Sequence, residues 1–89
     1  MKLVDLKIQN IDSENCLYQI TAKSFDIRMA TNVARLVKNR FTNETLGFEF
    51  FGREGIFKID SNGNVSFQDV PNDKSPAGTL MSLGYLVEE

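Results

Sequence analysis

Between Phe48 and Phe67 the chain alternates apolar and polar residues through two interruptions too short to hold anything but turns. Gly52-Arg53-Glu54-Gly55 separates the first two runs, and Ser61-Asn62-Gly63 separates the next two. Successive side chains of a strand point to opposite faces, and loops this short join only antiparallel neighbours. The block therefore predicts three antiparallel strands sharing one apolar face. Pairing Phe51 with Ile56 sets Phe50 against Phe57, Phe48 against Ile59 and, on the other face, Glu49 against Lys58. Aromatic pairs inside and an opposite-charge pair outside are what cross-strand energetics favour. In the second turn, Asn62-Gly63 is the usual signal for a two-residue loop. That register would set Lys58 against Phe67 and mix the faces. A three-residue loop instead pairs Ile59 with Val65 and Phe57 with Phe67, and places Gly63 in the left-handed region.

The start of the chain carries the same period. Val4, Leu6 and Ile8 alternate with Asp5 and Lys7, residues 10–15 have turn chemistry, and Cys16, Tyr18, Ile20 and Ala22 alternate again. A hairpin is expected, with Cys16 on its inward phase as a small buried hydrophobe.

Residues 24–40 fit two periods at once. Phe25, Ile27 and Met29 alternate like a strand. At about 100° per residue, however, Ile27, Met29, Ala30, Val33, Ala34, Leu36 and Val37 fall on one half of a wheel, with Phe41 just beyond. Arg28, Thr31, Asn32, Arg35, Lys38 and Asn39 fall on the other. Ser24 suits an N-cap and Asp26 suits the first turn. The wheel predicts an amphipathic helix over 25–41, ended by Thr42-Asn43. Near the C-terminus, Ser75-Pro76 reads as cap and first residue of a helix over 76–83, with Gly84 as its stop. Tyr85 to Val87 would then close the chain as an edge strand or pack under the long helix.

The predicted order is ββαβββ(α): a single α+β domain over 1–89, an antiparallel sheet with one long amphipathic helix packed on one face. Eighty-nine residues with one Cys allow no internal disulfide. No apolar run is long enough for a signal peptide or a membrane span, so no membrane partner and a reducing cytoplasm are the expectations.

Composition narrows the chemistry. There is no His, and the lone Cys has no imidazole to activate it. The acids fall in loops, on outward strand phases or at the chain end, so neither a catalytic residue nor an enzyme is expected. No metal is expected either. Asp60-Ser61-Asn62-Gly63-Asn64 imitates the opening of a calcium loop, but the sixth and twelfth positions are Val65 and Pro71 where the loop needs Gly and Glu. Gly52-x-x-Gly55 is too short for a phosphate loop, so no cofactor is expected.

A binding role remains. The net charge of -2 is unevenly spread: residues 23–43 hold five bases and one acid, whereas 44–89 hold three bases and eight acids. The leading expectation is a protein-binding inhibitor or regulator acting by steric or acidic-surface blocking. Phages and mobile elements encode many such small proteins, anti-CRISPR and immunity-type inhibitors among them. The expected contact residues are Glu49, Phe51, Glu54 and Ile56, an apolar pair with flanking acids beside a Gly-rich loop. The alternative is a nucleic-acid-binding stripe of Arg28, Asn32, Arg35, Lys38 and Asn39 on the helix, since Arg and Asn pair with base edges. Against it stands the acidic total. A second copy of the chain is a further expected partner, because a small open sheet buries itself by pairing.

Overall fold

The computed structural model describes residues 1–40, 45–71 and 73–89, without the side chains of Lys38, Asn39 and Arg40. Its strands are β1 (Lys2–Leu3), β2 (Lys7–Asp12), β3 (Leu17–Lys23), β4 (Met29–Arg40), β5 (Thr45–Phe50), β6 (Ile56–Ile59), β7 (Val65–Gln68) and β8 (Val87–Glu88). One helix, α1 (Pro76–Ser82), precedes β8. Strands β2 to β7 form a six-stranded antiparallel meander in chain order, and β1 pairs with β8 in a separate two-stranded ladder. The α+β reading stands in this coarse form. No helix among the described residues is long and apolar enough to cross a membrane.

The long helix expected over 25–41 is not formed over its described residues, 25–40. Residues 29–40 are instead the longest strand of the sheet, bonded to β3 on one side and β5 on the other. The expected helix terminus at Thr42-Asn43 lies outside the described residues. The physical reason is visible in what each phase of β4 meets. Inward-facing Ala30, Asn32 and Ala34 are small or polar and signal no strand core, while Thr31, Val33 and Val37 on the other phases are β-branched. The small residues make room for the C-terminal segment. Tyr85 lies fully buried, its ring 6.2 Å from that of Phe50 and its hydroxyl donating to the Ile20 carbonyl. Asn32 Nδ2 donates to the Leu83 carbonyl at 3.0 Å, fastening the end of α1 to the sheet. Pairing on both sides and this inner packing outweigh a helical wheel, which is only a weak prior.

The core lies on one face of the sheet: Ile20 and Ala34 with Phe48, Phe50, Phe57 and Ile59, closed by Leu80 and Tyr85. Rings of Phe50 and Phe57 meet edge to face at 5.6 Å, an arrangement aromatic quadrupoles favour. The inward residues of β5 and β6 are those expected, but the register differs by two. Phe48 opposes Phe57 and Leu46 opposes Ile59, so Lys58 faces Gly47 rather than Glu49. A shift of two keeps every side chain on its face. The β6–β7 hairpin follows the expected register, with Ile59 opposite Val65 and Phe57 opposite Phe67. Gly63 sits at φ 85, and a Cβ there would come within 2.5 Å of the Leu3 carbonyl oxygen, so β1 can lie against this turn only because the residue is Gly.

The first hairpin is modified at both ends. Asp5, at φ 55, breaks the expected first strand into β1 and β2. Cys16 also lies at φ 55 in the β2–β3 turn and is exposed, not inward and buried. The termini then seal one end of the sheet: Val65 donates to the Met1 carbonyl, Lys23 to that of Val4 and Leu86 to that of Lys23. In α1, Ser75 caps the helix by accepting from the Gly78 N–H, with Pro76 first, as expected.

Burial pushes the Tyr85 phenol up to about 12, outweighing its hydrogen bonding to Asn32. A raised value means that the folded state favours the neutral phenol. That contribution is intact below pH 10, the unfolded value, and is lost as pH rises toward about 12. Tyr85→Phe is therefore expected to cost about 1 kcal/mol at neutral pH. Its deficit should shrink between pH 10 and about 12, as read by urea titrations of both proteins. A deficit constant with pH would contradict this.

Candidate functional site

The outer face of the sheet gathers three of its distinctive side chains near the β5–β6 turn. In β4, Arg35 stands opposite Leu17 of β3 and Glu49 of β5. An acid and a base directly opposed on one face are a favourable pair. Phe51 follows β5 in the turn closed by the Arg53 N–H donating to the Phe50 carbonyl at 3.1 Å. Gly52 takes φ 76 there, as the third residue of a type II turn must. The turn splits two adjacent phenylalanines. Phe50 enters the core, whereas Phe51 stays on the outside with 51% of its surface exposed.

The Arg35 guanidinium lies over the Phe51 ring, 5.7 Å from its centroid. This contact orients both side chains without removing either from solvent. A shallow depression beside them is lined by Glu14, Asn15, Cys16, Leu17, Arg35, Leu36 and Phe51. The Leu36 N–H donates to the Cys16 carbonyl at 2.8 Å and holds the β2–β3 turn against the strand.

The four expected contact residues therefore divide. Glu49 and Phe51 share the patch with Arg35, which the helical reading had assigned elsewhere. Glu54 lies beyond the turn and lines a polar groove with Arg53, Asp73, Lys74 and Ser75. Ile56 is half-buried and opposes Gln68 of β7, and the displaced β5–β6 register does not set it opposite Phe51 as expected.

The basic stripe is not assembled. On a strand, Arg28 and Arg35 are separated by seven residues, roughly 23 Å. Arg28 sits in the β3–β4 loop with Asp26 at 3.9 Å, both exposed. Asn32 points inward to Leu83, and Arg35 points outward. The side chains of Lys38 and Asn39 lie outside the described residues.

Two carboxylates serve their own turns. Asp60 accepts from the backbone N–H groups of Asn62 and Asn64 and from the Asn64 side chain. Desolvation raises its pKa, but these hydrogen bonds outweigh it and hold the carboxyl below the usual range. The calcium-like stretch is thus a self-capped hairpin turn. Asp12 is held low chiefly by the Asn15 side chain, with further backbone hydrogen bonds. Among the described residues, no three acids and thiols gather as metal ligands.

The helical reading also missed an apolar hairpin tip. Phe25, Ile27 and Met29 are exposed around the β3–β4 loop, and Ile27 is 83% exposed at φ 74. A β-branched residue is strained in that region. Comparison of the chain with protein-family models, with curated proteins and with solved structures finds no match.

Two outcomes follow. Ile27→Gly should stabilise the fold by about 0.5–1 kcal/mol in urea titration, since Gly takes this conformation without strain. Cys16 should react with a thiol reagent under native conditions as fast as a free peptide thiol. Reaction only on unfolding would show the turn to be wrongly placed.

Proposed function

We propose that the protein is a non-enzymatic binding module, an inhibitor or regulator that covers part of a protein target by steric contact. The observation that carries this reading is the half-exposed Phe51 ring held under the Arg35 guanidinium beside Glu49. Aromatic and Arg side chains dominate the energetics of protein interfaces. A ring already fixed in place loses little conformational freedom on binding. Arg35 and Glu49 sit on neighbouring strands braced by the core, and Phe51 sits in the hydrogen-bonded turn that directly follows β5. Glu49 adds a carboxylate at the rim, where it would guide a basic partner surface and exclude an acidic one.

The reading contains no chemical step. It descends from the missing imidazole, which leaves the lone Cys without a base to activate it. The origin in a phage or mobile element, with an anti-CRISPR or immunity-type role, belongs to the same proposal and rests on how often such small domains serve it.

The test is capture from a native lysate on immobilised protein, with and without nuclease. A discrete bound protein is expected, with capture reduced at least about tenfold by Phe51→Ala and by Arg35→Glu. Glu49→Lys should weaken it in a salt-dependent way. All three variants should keep the unfolding midpoint within a few degrees. Equal capture by wild type and Phe51→Ala would remove the patch, and material lost on nuclease treatment would remove the protein target.

A further inference from the structure

The six-stranded sheet has two edges, and they are treated differently. Part of β7 is bonded by the N-terminal segment, with Val65 donating to the Met1 carbonyl and Leu3 to that of Gly63. Beyond β3, no second strand pairs with β2 among the described residues, and four of its six residues are exposed, Ile8 and Asp12 being half-buried. An edge strand turns every second N–H and C=O outward and is a template for one more strand.

The side chains of β2 specify which strand. Lys7 and Gln9 lie on the outer face, opposite Thr21 and Gln19 of β3. The bulge between Asn10 and Asp12 changes the phase, so that Asp12, opposite Leu17, returns to the same face. Consider two copies related by a two-fold axis normal to the sheet. Antiparallel pairing then sets outer face beside outer face. With the axis at Gln9, each Gln9 opposes its own copy and each Lys7 opposes the Asp12 of the other. The outer face carries an amide pair flanked by two opposite-charge pairs. On the inner face, Ile8 meets Asn10 and Ile11 of the bulge. Moving the axis by one residue sets Gln9 against Lys7 or against Asp12, and the second charge of each copy then loses its counterpart. Like charges directly opposite are unfavourable and opposite ones favourable, so the Gln9-centred register is preferred.

From this self-complementarity we infer that the protein forms a two-fold symmetric homodimer by pairing β2 with β2 of a second copy, joining two sheets into one. The occupant of the edge is the chain itself. The inference is independent of the Phe51 patch, which lies on β4 and β5 away from this edge. An edge this short buries less than the roughly 1,200–2,000 Å² of a standard interface, so dissociation constants in the micromolar range are expected.

Sedimentation equilibrium from about 10 µM to 1 mM should show the mass rising from 10.1 kDa toward twice that value. Gln9→Lys puts two like charges on the axis and should raise the dissociation constant at least about tenfold, with the circular dichroism of the monomer unchanged. In a Cys16→Ser background, Gln9→Cys should oxidise to a disulfide-linked dimer, because directly opposed residues approach within bridging distance. Lys7→Cys in that background should not, since its two thiols would lie far from the axis. Single-chain mass throughout the range would overturn the dimer. Cross-linking at Lys7→Cys matching that at Gln9→Cys would overturn the register.

Discussion

Tyr85 packed on the inner face of the sheet is the contact on which the rest of the molecule depends. Its ring lies against Phe50 and its hydroxyl reaches the Ile20 carbonyl, so one side chain ties the C-terminus to β3 and β5 together. The contact needs room, and Ala22, Ala30 and Ala34 supply it by keeping the facing positions of β3 and β4 small. Asn32 uses the same room to hold the end of α1 through the Leu83 carbonyl. With the inside closed in this way, β4 is fixed on one face by packing and along both edges by hydrogen bonds. Its outward residues, Arg35 among them, are then presented on a rigid surface.

That dependence explains which parts of the fold were legible in the sequence. The β6–β7 hairpin follows its face pattern because Phe57 and Ile59 on β6 and Val65 on β7 are buried on one phase. The cap of α1 is equally local: Ser75 and Pro76 specify it without help from the remainder of the chain. The β5–β6 register is right in face but displaced by two, since Phe48 and Phe50 are equivalent partners for Phe57 until the turn is fixed. Period two decides a face and leaves the slide along it open.

Residues 25–41 were misread for a different reason. The inward side of β4 is Ala30, Asn32 and Ala34 with Leu36 its one large apolar residue, too weak an apolar phase to mark a strand, and its identity comes from tertiary contacts about fifty residues away. The hydrophobic residues of the wheel, Met29, Val33 and Val37, are instead among the exposed apolar side chains of the outer surface. The consequences reach the candidate site. A stripe built on helical spacing dissolved, and Arg35 moved from that stripe to the Phe51 ring. Phe51 and Glu49 were legible from alternation alone. Their link to Arg35 required knowing that β4 lies beside β5. Cys16 was misplaced because a left-handed turn residue can occupy the inward phase of a pattern without joining the strand.

The orientation of Asn32, the patch at Arg35 and Phe51, and the free edge at β2 all presuppose that residues 29–40 are a strand. Nuclear Overhauser contacts in the labelled protein measure this directly. Close α-proton contacts across both ladders, between Gln19 and Val33 of β3 and β4 and between Ala34 and Phe50 of β4 and β5, are the predicted result. Sequential amide–amide contacts with medium-range helical contacts through 29–40 would contradict the account.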